Sequence, residues 1–91
     1  MKNIAKDRFG SSADFFLDIT GEVCPLTFVR TKLLIERMTA GQTAEIRLAG
    51  AEPLENVPRS VKAEGHVVLL LEPEDPATGA HGVHRLRIRK T

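Results

Sequence analysis

Leu17-Asp18-Ile19-Thr20-Gly21-Glu22-Val23-Cys24-Pro25-Leu26-Thr27-Phe28-Val29-Arg30-Thr31-Lys32 joins a strand-like run to a helix-like one, and the join holds the only cysteine of the 91-residue chain. Pro25, directly after Cys24, suits the first position of a helix, where a missing N–H costs nothing and φ is already near the helical value. Cys24 is then expected at the N-cap. A thiol there faces unsatisfied backbone N–H groups and the positive end of the helix dipole, and both favour thiolate over thiol. The competing reading is a small buried hydrophobe. Local chemistry alone leaves the two open.

Outward from this join, the chain reads as alternating strands and helices. Residues 1–14 mix charges, glycine and serine without either period and are expected to form a flexible tail, leaving 15–91 as a single domain. Phe15-Phe16-Leu17-Asp18-Ile19 alternates as a strand, with Phe15, Leu17 and Ile19 inward. Gly21 is placed in the following turn, free to take positive φ. From Pro25 to about Thr39 the pattern is helical and carries two apolar stripes. Phe28, Leu34, Ile35 and Met38 should cover a sheet, while Leu26, Val29 and Leu33 are expected to pack on a neighbouring helix rather than serve as a partner surface. Ala40-Gly41 closes the helix.

Gln42 to Leu48 reads as a second strand, with Ala44, Ile46 and Leu48 inward and Glu45 and Arg47 outward. Ala49 to Pro53 is expected to be a connection. Leu54 to Glu64 gives a weaker helix that Pro58 should restart, and Gly65 ends it. The unbroken apolar run Val67 to Leu71 is expected as a central strand, and Pro73 to Gly82 as a loop. Val83 to Lys90 alternates again: Leu86 and Ile88 face in, Arg85, Arg87 and Arg89 out. The sum is an α/β two-layer sandwich of order βαβαββ, a four-stranded mixed sheet with two helices on one face and the other face open.

Leu17-Asp18-x-x-Gly21-x-x-Cys24-Pro25, with the amphipathic helix after it and Gly41 past its end, resembles the TusA/SirA-like family of small sulfur-carrier proteins from about residue 15 onward. The resemblance implies the same fold. It also implies a persulfide carried on Cys24, accepted from a cysteine desulfurase or rhodanese and relayed to a downstream acceptor protein. In that family the cysteine begins Cys-Pro-x-Pro, whereas here the motif is Cys24-Pro25-Leu26-Thr27. Thr27 can still occupy a first-turn position, and its hydroxyl can hydrogen-bond the thiolate or persulfide. Cys24 is therefore the expected sulfur-bearing residue, with Pro25, Leu26, Thr27 and Arg30 forming the rim on which a partner docks.

Composition sets the background. Hydrophobic residues at 42% and charged residues at 27% place the chain among ordinary globular proteins. One cysteine excludes an intramolecular disulfide and suits a reducing cytoplasm, the expected compartment. No apolar run reaches the roughly 18 residues of a membrane span. Neither metal nor cofactor is called for by any motif, since His66, His81 and His84 have no ligand spacing and read as exposed or strand-edge residues. A monomer is expected. The alternative functions are a non-catalytic adaptor, or a nucleic-acid module using Arg47, Arg85, Arg87 and Arg89 on the open sheet face. Against nucleic acid, the chain has no Trp or Tyr, and only Phe16 could stack a base there.

Overall fold

In the computed structural model, which describes residues 13–91, the alternating runs pair into one four-stranded sheet. The elements follow in the order β1 (Phe15–Asp18), α1 (Leu26–Arg37), β2 (Thr43–Leu48), α2 (Ala51–Ala63), β3 (Val67–Pro73), a short 3-10 turn (Pro76–Thr78) and β4 (His84–Arg89). Across the sheet the order is β1-β2-β4-β3. β1 pairs parallel with β2, and β4 runs antiparallel to both β2 and β3. The expected βαβαββ two-layer fold is present. The tail expected over residues 1–14 lies outside the described residues as far as residue 12. Asp14 already belongs to the sheet margin: its N–H donates to the Thr43 carbonyl at 2.9 Å, and its Oδ2 accepts from the Thr43 N–H at 2.9 Å.

Period-two patterning separates the two faces of the sheet. Ala44, Ile46 and Leu48 of β2 and Leu86 and Ile88 of β4 are fully buried against Leu34, Ile35 and Met38 of α1 and its C-terminal end, and against Val57 and Val61 of α2. Burying each Leu or Ile of this kind is worth about 1.5–3 kcal/mol, so the strand-to-helix layer holds the fold together. Lys90 clamps the far end of α1. Its Nζ donates to the carbonyls of Ile35 at 2.9 Å and Met38 at 2.8 Å, placing a cation where the helix dipole is negative.

Several expectations are corrected. Gly21 does not adopt positive φ; among the described residues the glycines that do are Gly41, Gly50, Gly65 and Gly79. The segment expected as a connection is already helical from Ala51, because Pro53 falls in the first turn, where no N–H is needed. Pro58 does not restart α2. The helix runs through it, and Pro58 is buried beside Val57 and Val61, whose packing offsets the lost backbone bond. β3 is an edge strand rather than a central one, because β4 inserts between it and β2. Its pairing slips between Val68 and Leu70, so consecutive apolar residues need not alternate strictly, and Leu69 and Leu71 remain exposed.

The open face is ionic rather than basic. Arg47 makes a two-pronged contact to Glu74, with Nε and Nη2 donating at 2.8 Å each, and Nη1 donates to Asp18 at 2.7 Å. Arg85 Nε lies 3.3 Å from Glu74 and 3.6 Å from Glu45, while Arg87 Nη2 donates to Glu45 at 2.9 Å. Glu45, expected outward, does face this side, yet it is only 2% exposed beneath the arginines. Hydrogen bonds from Arg47 pull the Glu74 carboxyl down to about 2 from its ordinary 4.5. Asp18 is likewise held below its ordinary value, first by the Thr20 N–H and hydroxyl and then by Arg47.

Because the folded value of Glu74 lies below the unfolded one, its contribution is full above pH 4.5 and is lost as pH falls towards 2. Glu74→Gln should lower stability at pH 7 by about 1 kcal/mol, the upper range for partly exposed pairs. It should also flatten the acid side of the stability profile. Urea unfolding at a series of pH values checks this; wild type and variant declining in parallel below pH 4.5 would refute it.

Candidate functional site

The loop from β1 to α1 delivers Cys24 to the sheet's rim. Ile19, 1% exposed, anchors the loop through its N–H to the Arg47 carbonyl at 2.9 Å. Asp18 Oδ1 then accepts from the Thr20 N–H at 3.0 Å and from the Thr20 hydroxyl at 2.7 Å. The Glu22 N–H returns to the Ile19 carbonyl at 3.1 Å, and the Leu26 N–H to that of Val23 at 2.8 Å. Two successive turns therefore lead into α1. Cys24 sits half-buried within the second of them, as a free thiol.

Pro25, not Cys24, is the N-cap residue, and no side chain caps the helix. The physical reason lies in the backbone bonds: the Val29 N–H donates to Pro25 O at 3.0 Å, so the first helical carbonyl belongs to Pro25. The thiol thus stands one position ahead of the expected one. Its hydrogen-bond partner comes instead from within the first turn, where Thr27 Oγ1 lies 3.1 Å from Cys24 Sγ. Thr27 is completely buried. One turn further on, the buried Thr31 donates its hydroxyl to the Thr27 carbonyl at 2.8 Å. Thr31 was not singled out from the sequence; the signal was its i+4 spacing from Thr27 on a face otherwise apolar.

The second apolar stripe of α1 does not pack on a helix. α2 meets α1 along a groove lined by Phe28, Thr31, Lys32 and Ile35, with Lys32 reaching Glu64 at 3.2 Å. Leu26, Val29 and Leu33 are left exposed, and Val23 beside the thiol is 71% exposed. At its far end the ridge borders a groove in which Leu33 meets Phe16, Arg30 and Arg37. Arg30 lies beside this ridge but is not a free cation: its Nη1 contacts Glu22 at 2.7 Å. The structure therefore brings Cys24 and Thr27 into direct contact and leaves Leu26 and Arg30 on the same exposed side of the helix start.

The other candidates lie elsewhere. His84 Nδ1 is 2.8 Å from the Gly82 carbonyl, and His66 Nδ1 is 3.3 Å from the Thr91 N–H, so neither bonds the thiol. Of the four arginines expected to follow a phosphate backbone, Arg47, Arg85 and Arg87 are paired with Asp18, Glu45 and Glu74, which argues against that reading. Arg89 alone of the row is exposed. Among the described residues, no helix is long and apolar enough to cross a membrane.

This βαβαββ sandwich, with its thiol at a strand-to-helix rim, matches sulfurtransferase TusA over residues 15–90, a class of sulfur-handling proteins. The chain belongs to the TusA family. It is 47% identical over 60 residues to a candidate sulfur carrier protein of Archaeoglobus fulgidus, covering 66% of this chain and 68% of that one. Against a protein of the same description from Thermotoga maritima it is 38% identical over 61 residues, covering 67% and 77% respectively. The crystal structure of a SirA-like protein from Desulfitobacterium hafniense superposes with a TM-score of 0.65 over 82% of this chain and 95% of that chain, at 22% identity. That last likeness concerns the fold.

Thr27 occupies the second helical position, where the backbone N–H lies outside the intrahelical ladder. Thr27→Pro should accordingly cost less than about 1 kcal/mol, a fall in Tm of no more than about 4–8 °C for a domain of this size. Differential scanning calorimetry reads this directly, and a fall of twice that range would mean that the Thr27 N–H is structurally required.

Proposed function

We propose that the protein is a sulfur carrier that accepts sulfane sulfur on Cys24 from the persulfide of a cysteine desulfurase or rhodanese and passes it to an acceptor protein. Loading begins when the Cys24 thiolate attacks the terminal sulfur of the donor persulfide. A new S–S bond forms at Cys24, the donor's S–S bond breaks, and its electron pair leaves on the donor cysteine as thiolate. Discharge repeats the exchange, with an acceptor thiolate attacking the terminal sulfur and Cys24 leaving. Disulfide-type bonds are exchanged one for one, so no external oxidant or reductant enters.

The observation that carries this reading is the setting of Cys24. It is a free thiol on a helix-start rim, hydrogen-bonded within the first turn and bordered by exposed apolar residues that the fold does not use. Two proteins' sulfurs must meet in line, which requires an accessible thiol within a surface able to dock. Leu26 and Val23 supply apolar contact, and Arg30, paired with Glu22, supplies polarity at the edge. A buried structural cysteine would need neither.

Incubation with a cysteine desulfurase and cysteine, followed by intact-mass analysis, should show one added sulfur on the wild type and none on Cys24→Ser, while both fold alike by circular dichroism. Sulfur on the serine variant, or none on the wild type, would overturn the proposal and favour the adaptor reading. Leu26→Asp and Arg30→Glu should each slow loading by about tenfold, in line with a lost interface contact of more than 1 kcal/mol. Arg89→Glu, on the opposite face, should load at the wild-type rate. Arg87→Glu is unsuitable as the control, because it would set a carboxylate against buried Glu45. Slowing by Arg89→Glu but not by Leu26→Asp would move docking to the sheet.

A further inference from the structure

We propose that the Thr27 hydroxyl donates its hydrogen bond to Cys24 Sγ and stabilises the negative charge that returns to that atom whenever sulfur is handed on. The direction of the bond follows from what surrounds Thr27. A buried hydroxyl needs an acceptor for its proton. Among the described residues, Cys24 Sγ at 3.1 Å is the only partner of Thr27 Oγ1. Sulfur as thiolate is a far better acceptor than as thiol, so the bond strengthens as negative charge develops on Sγ. The charged side chains flanking the motif in sequence, Glu22 and Arg30, form a pair with each other and bring no net charge.

The consequence is an asymmetry between the two half-reactions; this part of the proposal rests on Cys24 being the carrier. In discharge, an incoming nucleophile attacks the terminal sulfur, the bond between Sγ and that sulfur breaks, and the electron pair stays on Sγ. Thr27 O–H is aimed at that developing charge. A better-stabilised leaving thiolate departs faster. In loading, the same bond stabilises the attacking thiolate, which increases its population but lowers its intrinsic nucleophilicity, and the two effects partly cancel. Thr27 therefore assists release more than uptake. Proline at this position would rigidify the turn but has no donor.

Two measurements on purified wild type, Thr27→Val and Thr27→Ser test this without a protein partner. The first is the rate of alkylation by iodoacetamide between pH 5 and 10. The isosteric Val variant should react about threefold more slowly at neutral pH, its smaller thiolate fraction being partly offset by greater nucleophilicity, with its pH–rate profile displaced to the alkaline side, while Ser stays near the wild type. The second follows discharge of protein loaded with inorganic polysulfide. Cyanide attacks the terminal sulfur, giving thiocyanate and the Cys24 thiolate, and Val should release thiocyanate about tenfold more slowly while Ser keeps pace. A Val variant with the wild-type alkylation profile would overturn the donation. A displaced profile with an unchanged cyanolysis rate would overturn the discharge role. If polysulfide leaves no sulfur on Cys24 in any variant, the carrier reading and the discharge role fall together, whereas the alkylation profiles still decide the hydrogen bond.

Discussion

The antiparallel pairing of β2 with β4 is the constraint on which the rest of the structure depends. Its register sets Ala44 opposite Ile88 and Ile46 opposite Leu86, concentrating the apolar side chains on the helix-covered face. The same register has an awkward consequence on the open face. Arg47 stands directly opposite Arg85, a like-charge pair that would destabilise the sheet if left alone. Glu74, from the residue just beyond β3, lies between them and accepts from both guanidinium groups. Asp18 and Glu45 complete the pattern. On the open face Arg47, Arg85 and Arg87 are therefore matched by three carboxylates and committed to holding strands together, while Arg89 stays exposed.

This division explains which features were legible in the sequence. The periods of two and 3.6 located all four strands and both helices, since each face that must be buried leaves a repeating mark. Strand order was less accessible. Val67 to Leu71 looks central because it is uniformly apolar, but a slipped pairing at an edge gives the same composition without burial on both sides. Helix continuity was misread at Pro53 and Pro58 for a related reason. A proline signals a lost donor, and only the tertiary packing of Val57 and Val61 shows that the loss is offset there. Glu45 illustrates the limit of inward-outward reasoning: the pleat correctly pointed it away from the core, yet neighbouring arginines cover it.

The site was legible in its parts rather than in its geometry. Cys-Pro before an amphipathic helix marked the thiol, and Thr27 was recognisable as a first-turn residue with a hydroxyl within reach. The shift of the N-cap to Pro25 was not, since either residue can precede the first helical turn and one backbone bond separates the cases. Thr31 was missed because its i+4 spacing from Thr27 is a weak signal until the carbonyl partner is known. The arginine row drew attention by charge alone, and its carboxylate partners are scattered over residues 18, 45 and 74.

What remains after the fold has been accounted for is instructive. α1 has apolar residues enough for two faces, but a single-layer sheet and one neighbouring helix bury only one of them. Leu26, Val29 and Leu33 thus contribute little to the core, although each polar alternative would be better solvated. Their cost is tolerated on the ridge that starts beside Cys24, and with Val23 they extend an apolar surface from the thiol along about two turns of helix. The buried threonine pair lies under the same turn. Apolar residues exposed at helical spacing break a local rule of folding here, as expected where a sequence serves contact with something other than itself. Stability thus resides in the β2–β4 layer contact and the ionic lattice behind it, and the exposed ridge of α1 adds little to either.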